Sequence, residues 1–167
     1  RRQHRDQHQG DDQGGDQPLT RYLVDFLDLV PFLLRLLHGE NRWQSRVAAF
    51  KLLSYLVEQA LGSEDPVHIE PTTLREVVTA AQDPGENLHI QRDATRLLLL
   101  VTPDEGFDVL ERRLLRLPDD PPRDDFLYRA KAVTLIADLY PVDRAVRVLD
   151  ELVSGRDPSE HVRMTLA

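Results

Sequence analysis

The chain contains no cysteine, which excludes disulfides, thiolate nucleophiles and cysteine-ligated zinc. Aromatic residues are scarce at 6%. An excess of positive charge is also missing, because the net charge is −8 and the pI about 5.2. Nucleic-acid binders carry a basic face to neutralise phosphates, so this balance counts against nucleic acid as a partner while leaving room for a local basic groove. Long uninterrupted apolar runs are absent too. The longest apolar stretch, Leu19 to Leu37, is interrupted by Arg21, Asp25, Asp28 and Arg35. Charges at that spacing are costly in a bilayer, which argues against a membrane span. Residues 1–17 lack the apolar centre of a signal peptide, and a cytoplasmic location is expected. No strand-length alternating segment with hairpin turns occurs. Ser63 follows Gly62 without a nucleophile elbow, and neither a Walker loop nor a dinucleotide fingerprint is present. The reading is therefore a non-enzyme with no cofactor and no metal.

What is present is a globular balance over 167 residues, 41% hydrophobic and 30% charged. Leucine, alanine, arginine and glutamate favour helices, so an all-α fold is expected. Arginine outnumbers lysine by nineteen to two, which suits a GC-rich bacterial genome. Residues 1–17 have no large apolar side chain and are expected to form a disordered polar tail or linker. The folded domain is expected over 18–167. The start at Arg1 and the stop at Ala167, inside an expected helix, suggest a fragment of a longer array.

Apolar periodicity and punctuation divide the domain into helices. A first helix over 19–38 contains Pro31, which kinks it or opens a second piece. A second over 42–61 has Trp43, Val47, Phe50, Val57 and Ala60 on one face, with Ala49, Leu53 and Leu56 widening it, and Trp43 is expected in the core. Thr73 and Glu76 have capping-box spacing before a helix over 73–82. The next spans 87–101. Thr102, Pro103 and Glu105 then read as N-cap, first helical residue and reciprocal cap, and Phe107, Leu110, Leu114 and Leu117 mark the buried face. Helices over 123–139 and 141–154 follow, the latter with Ala145, Leu149 and Leu152 inward. Asp157, Pro158, Ser159 and Glu160 launch a last helix.

The segments repeat. Ala94 and Ala132 lie 38 residues apart, as do Pro103 and Pro141. Each unit is a long helix, a proline-marked turn, a second helix and a loop. Asp157, Pro158, Val162, Arg163, Leu166 and Ala167 follow the order seen at the start of HEAT repeats, with looser copies at Trp43, Val47 and Ala48, at Ile90 and Ala94, and at Phe126 and Ala130. From Trp43 to Val162 the copies are 36 to 47 residues apart. Over 42–167 the sequence thus resembles the HEAT-like, armadillo-type helical-repeat family. That resemblance implies an α-solenoid of about three to four antiparallel helical hairpins in a right-handed superhelix. It also implies a protein-binding scaffold whose second helices line a concave groove. The groove residues would be Arg75, Glu76 and Thr79, then Glu111, Arg112 and Arg116, then Arg144, Arg147, Asp150 and Glu151. Interleaved acids and arginines there point to another protein or peptide as partner. A nucleic-acid-binding solenoid and an oligomerisation module using the Leu19–Leu37 helix are the alternatives.

Other chemistry-bearing residues have plainer readings. His4 and His8 have helical metal-ligand spacing but sit in the polar tail without a third ligand. His38, His68, His89 and His161 read as helix-terminal or surface residues. Asp25 and Asp28 lie one turn apart with the spacing of paired carboxylates, but Arg21, four residues before Asp25, makes a surface ion pair the plainer reading. Asp119, Asp120, Asp124 and Asp125 lack the glycine and terminal glutamate of a calcium loop and read as helix-start carboxylates.

Overall fold

The computed structural model describes residues 29–61, 67–116, 125–155 and 159–166. All regular structure among them is helical, so the fold is all-α as expected. The helices are α1 (Val30–Leu36), α2 (Trp43–Ala60), α3 (Pro71–Gln82), α4 (Leu88–Val101), α5 (Pro103–Leu115), α6 (Asp125–Leu139), α7 (Val142–Gly155) and α8 (Glu160–Leu166). The readings made for the polar tail with His4 and His8, and for Asp25, Asp28, Ser63, Leu117, Asp119, Asp120, Asp124, Asp157 and Pro158, lie outside the described residues.

Proline sets several helix starts. Pro31, Pro71 and Pro103 each occupy the first turn of their helix, where a missing N–H costs nothing. Pro31 therefore opens α1. Pro71 likewise starts α3 two residues before Thr73, so the expected capping box is overturned: Glu70 is the N-cap residue and makes no side-chain cap bond. Thr102 does hold the N-cap position of α5, but its hydroxyl makes no cap bond. Asn87 does form a side-chain cap, accepting from the His89 N–H at 2.9 Å.

The chain alternates between two rows of helices. In the even row, α2 packs on α4, α4 on α6 and α6 on α8; in the odd row, α3 meets α5 and α5 meets α7. Each helix from α3 to α7 also packs on the next in sequence, and α1 covers part of α2. The 38-residue repeat falls on the pairs α4–α5 and α6–α7.

Helix α4 is the centre of this packing. Its run Leu97 to Val101 leaves no polar stripe, as expected of a helix buried on several sides. Leu97 and Leu98 join one core with Leu33, Phe50, Leu53 and Val77. Leu99 joins a second with Phe107, Leu110, Tyr128, Ile136 and Val148. Each large apolar side chain so buried contributes roughly 1.5–3 kcal/mol. On α7, Val148 and Leu152 are the buried residues, whereas Ala145 and Leu149, expected inward, are half-buried.

Trp43 is not in the core. It is 47% exposed and its ring stacks on His89, centroids 6.4 Å apart. The buried face of α2 is instead centred on Ala49, Phe50, Leu53 and Leu56. Trp43 is the first residue of α2, and the core at that end is closed by a polar side chain, Arg46.

Candidate interaction surface

The odd row presents the residues named from sequence. α3 exposes Arg75, Glu76 and Thr79; α5 exposes Arg112, with Arg116 just past its end; α7 exposes Arg147, Asp150 and Glu151. Two expected groove residues are not open. Glu111 and Arg144 are half-buried and paired, the Arg144 Nε donating to Glu111 Oε1 at 2.5 Å. The Arg144 guanidinium also lies 4.1 Å from the Phe107 ring centroid. The hydrogen bond to Glu111 raises its pKa. These two residues tie α5 to α7, and Arg147 extends toward the same carboxylate at 3.5 Å.

Two clefts border the row. The larger, about 740 Å³, lies between the turn after α1 and helix α3, and its lining includes His38, Glu40, Arg46, Glu76, Thr79 and Glu86. His38 Nδ1 sits 2.8 Å from Glu76 Oε2. The Thr79 hydroxyl is turned inward to its own helix, donating to the Arg75 carbonyl at 2.9 Å. The smaller cleft, about 360 Å³, is lined by Asp108, Glu111, Arg112, Leu115, Arg116 and Glu151. The structure thus gathers Glu111, Arg112, Arg116 and Glu151 at one cleft and Glu76 and Thr79 at another. Arg75 and Asp150 line neither.

His38, read from sequence as a helix-terminal or surface residue, shares the larger cleft with Arg46 and Glu86, which the sequence reading did not single out. Arg46 is only 7% exposed. Its Nε donates to the Leu37 carbonyl at 3.0 Å and its Nη1 lies 2.6 Å from Glu86 Oε2. It thereby fixes the end of α1 against the turn before α4. The available signal was a charge standing one turn before Ala49 and Phe50 on the apolar side of α2.

A buried polar network sets the position of α5. Asp125 starts α6, as the helix-start reading has it, and is only 5% exposed. Its Oδ1 accepts from Arg113 Nη2 at 2.9 Å and its Oδ2 from Arg129 Nη1 at 2.8 Å. Arg113 also bonds Gln91 Oε1 and lies 3.8 Å over the Tyr128 ring centroid. The Thr95 hydroxyl donates to the Gln91 carbonyl at 2.7 Å, so it accepts from Tyr128 Oη at 3.0 Å. Burial raises the pKa of Tyr128 and of Tyr140, the latter helped by the nearby Glu111 charge.

Among the described residues no group of three His, Asp or Glu side chains is placed to hold a metal ion, and no helix is long and apolar enough to cross a membrane. Models of protein families give no match to this chain, and neither do curated proteins or solved structures.

Proposed function

We propose that the chain is a non-catalytic, HEAT-like helical-repeat scaffold whose odd row binds another protein or peptide. The observation that carries this reading is the row of exposed charges of both signs on α3, α5 and α7, bordered by two clefts. Packing of every second helix on the next and the 38-residue spacing support a solenoid, in which such a row is the usual partner surface. Mixed charge suits a protein surface better than a phosphate backbone, since the three helices hold eight acidic and five basic residues.

The test is quantitative affinity capture with the full chain and with an Arg112→Glu, Arg116→Glu variant of unchanged helical circular dichroism. A partner held by the native chain and lost from the variant is the expected result. Identical capture by both proteins would remove the odd row as the binding surface.

A second reading is favoured by exposed apolar side chains at the two ends. Leu29 and Phe32 at α1 are 40% and 51% exposed, and Val142, Val146 and Val153 on α7 are 76%, 54% and 57% exposed. These suit self-association. Sedimentation of Phe32→Ser and Val146→Ser variants discriminates: a monomeric native protein would sink this reading.

A further inference from the structure

The even row differs in charge from the odd one. Helices α2, α4, α6 and α8 hold seven basic and five acidic residues, a local positive excess in a chain of net charge −8. Both lysines of the chain stand on this row, Lys51 on α2 and Lys131 on α6, and both are exposed. Neither makes an ion pair among the described residues, whereas Arg92 is held 2.5 Å from Asp93 Oδ1 and Arg96 is bonded to Glu58.

The two lysines belong to one surface. Lys51 lines a cleft of about 310 Å³ with Arg92, Asp93, Arg96, Thr134 and Asp138, spanning three helices. Lys131 stands one turn before Thr134, whose hydroxyl donates to its carbonyl at 2.6 Å. Burial lowers the pKa of His89 on α4, and the charges of Lys131, Arg92 and Lys51 lower it further against the opposing effect of Asp93. Exposed apolar groups accompany each lysine at one-turn spacing. Tyr55, four residues after Lys51, is 53% exposed, and Leu127, four before Lys131, is 40% exposed. Trp43, stacked on His89, borders the same face.

We propose that this face docks an extended acidic segment of a partner protein, with carboxylates on Lys51 and Lys131 and apolar side chains on Tyr55, Leu127 and Trp43. Charge complementarity selects the occupant. The free cations are lysines, compact charges that suit single carboxylates, while the forked guanidinium groups of Arg92 and Arg96 are already engaged. Glu58, Asp93 and Asp138 interrupt the positive field. A nucleic-acid strand, with a charge at every phosphate, would meet them, whereas a peptide can place apolar residues there. This surface is separate from the odd row and stands or falls without it.

The test is fluorescence anisotropy of a dye-labelled peptide of repeated Glu-Glu-Leu units, with a Gln-Gln-Leu peptide and single-stranded oligothymidylate as comparators. The acidic peptide is expected to saturate the full chain and to quench Trp43, its one tryptophan. Binding should weaken about tenfold or more in a Lys51→Glu, Lys131→Glu variant. It should persist with arginine at both positions and be unchanged by Arg112→Glu, Arg116→Glu. Should charge reversal lower helical circular dichroism, Lys51→Gln, Lys131→Gln replaces it under the same criteria. The proposal is overturned by absent saturation, by equal binding of the Gln-Gln-Leu peptide, by tighter binding of oligothymidylate, by an untouched Trp43 emission, or by undiminished binding to the lysine variants.

Discussion

Asp125 shows how much depends on a single side chain. Two arginines, Arg113 on α5 and Arg129 on its own helix, converge on this buried carboxylate. Removing a partner from a buried ion pair costs about 3–5 kcal/mol, because the remaining charge is left uncompensated. Asp125→Ala should lose that much stability in urea denaturation, and a loss below about 1 kcal/mol would mean that the pair behaves as a surface contact. The tyrosines give a pH signature. Tyr128 and Tyr140 both have raised pKa values in the fold, so the unfolded chain ionises first, near pH 10. Their contribution is fully present below about pH 10 and is lost as pH rises toward their folded values. Stability measured across that range should fall, and fall less in a Tyr128→Phe, Tyr140→Phe protein; equal slopes would contradict the assignment. At this scale the sequence was least legible. Trp43 falls on an apolar stripe and Asp125 at a helix start, but the burial of each is decided by neighbours elsewhere in the chain. Trp43 meets His89 at the rim of α2, while Arg113, drawn in with Gln91, encloses the network at Asp125.

Element identity was more legible than element ends. Apolar periodicity located α2 and α5 because each buries one continuous side, whereas α4 is marked by its apolar run and is buried on several sides. Thr73 misled because a polar residue in a first turn resembles a cap, whereas Pro71 had already fixed the start of α3. Glu111 and Arg144 were not legible as a closed pair, since their bond depends on where α5 meets α7. The meeting of α4 and α5 has its own requirement. A Cβ on Gly106 would lie 2.6 Å from the Leu99 nitrogen and 2.8 Å from its Cα. Backbone cannot yield as a flexible side chain can, so Gly106→Ala should cost about 1–3 kcal/mol. At Gly155, where a Cβ would meet nothing within 4 Å, the same substitution should change the melting curve little. A thermal melt of both variants checks the contrast, and equal melting temperatures would show that the helices can separate freely.

For the whole molecule, the 38-residue echo between Pro103 and Pro141 was the informative signal, because it anticipates two successive helical pairs. Charge partition between the rows was not legible, since it requires knowing which helices are neighbours in space. The position of α4 has a further consequence. It belongs to both hydrophobic clusters, so neither half of the chain owns a finished interior. Severing the turn at 84–85 leaves the first piece without its partner for Phe50 and Leu53 and the second with Leu97 and Leu98 bare. Each piece alone should show weak helical circular dichroism, while an equimolar mixture should regain the helicity of the intact chain. Independent folding of either piece would show that α4 is dispensable to it. The inheritance of one helix by two interiors makes the protein a natural split reporter, silent in parts and restored by reunion.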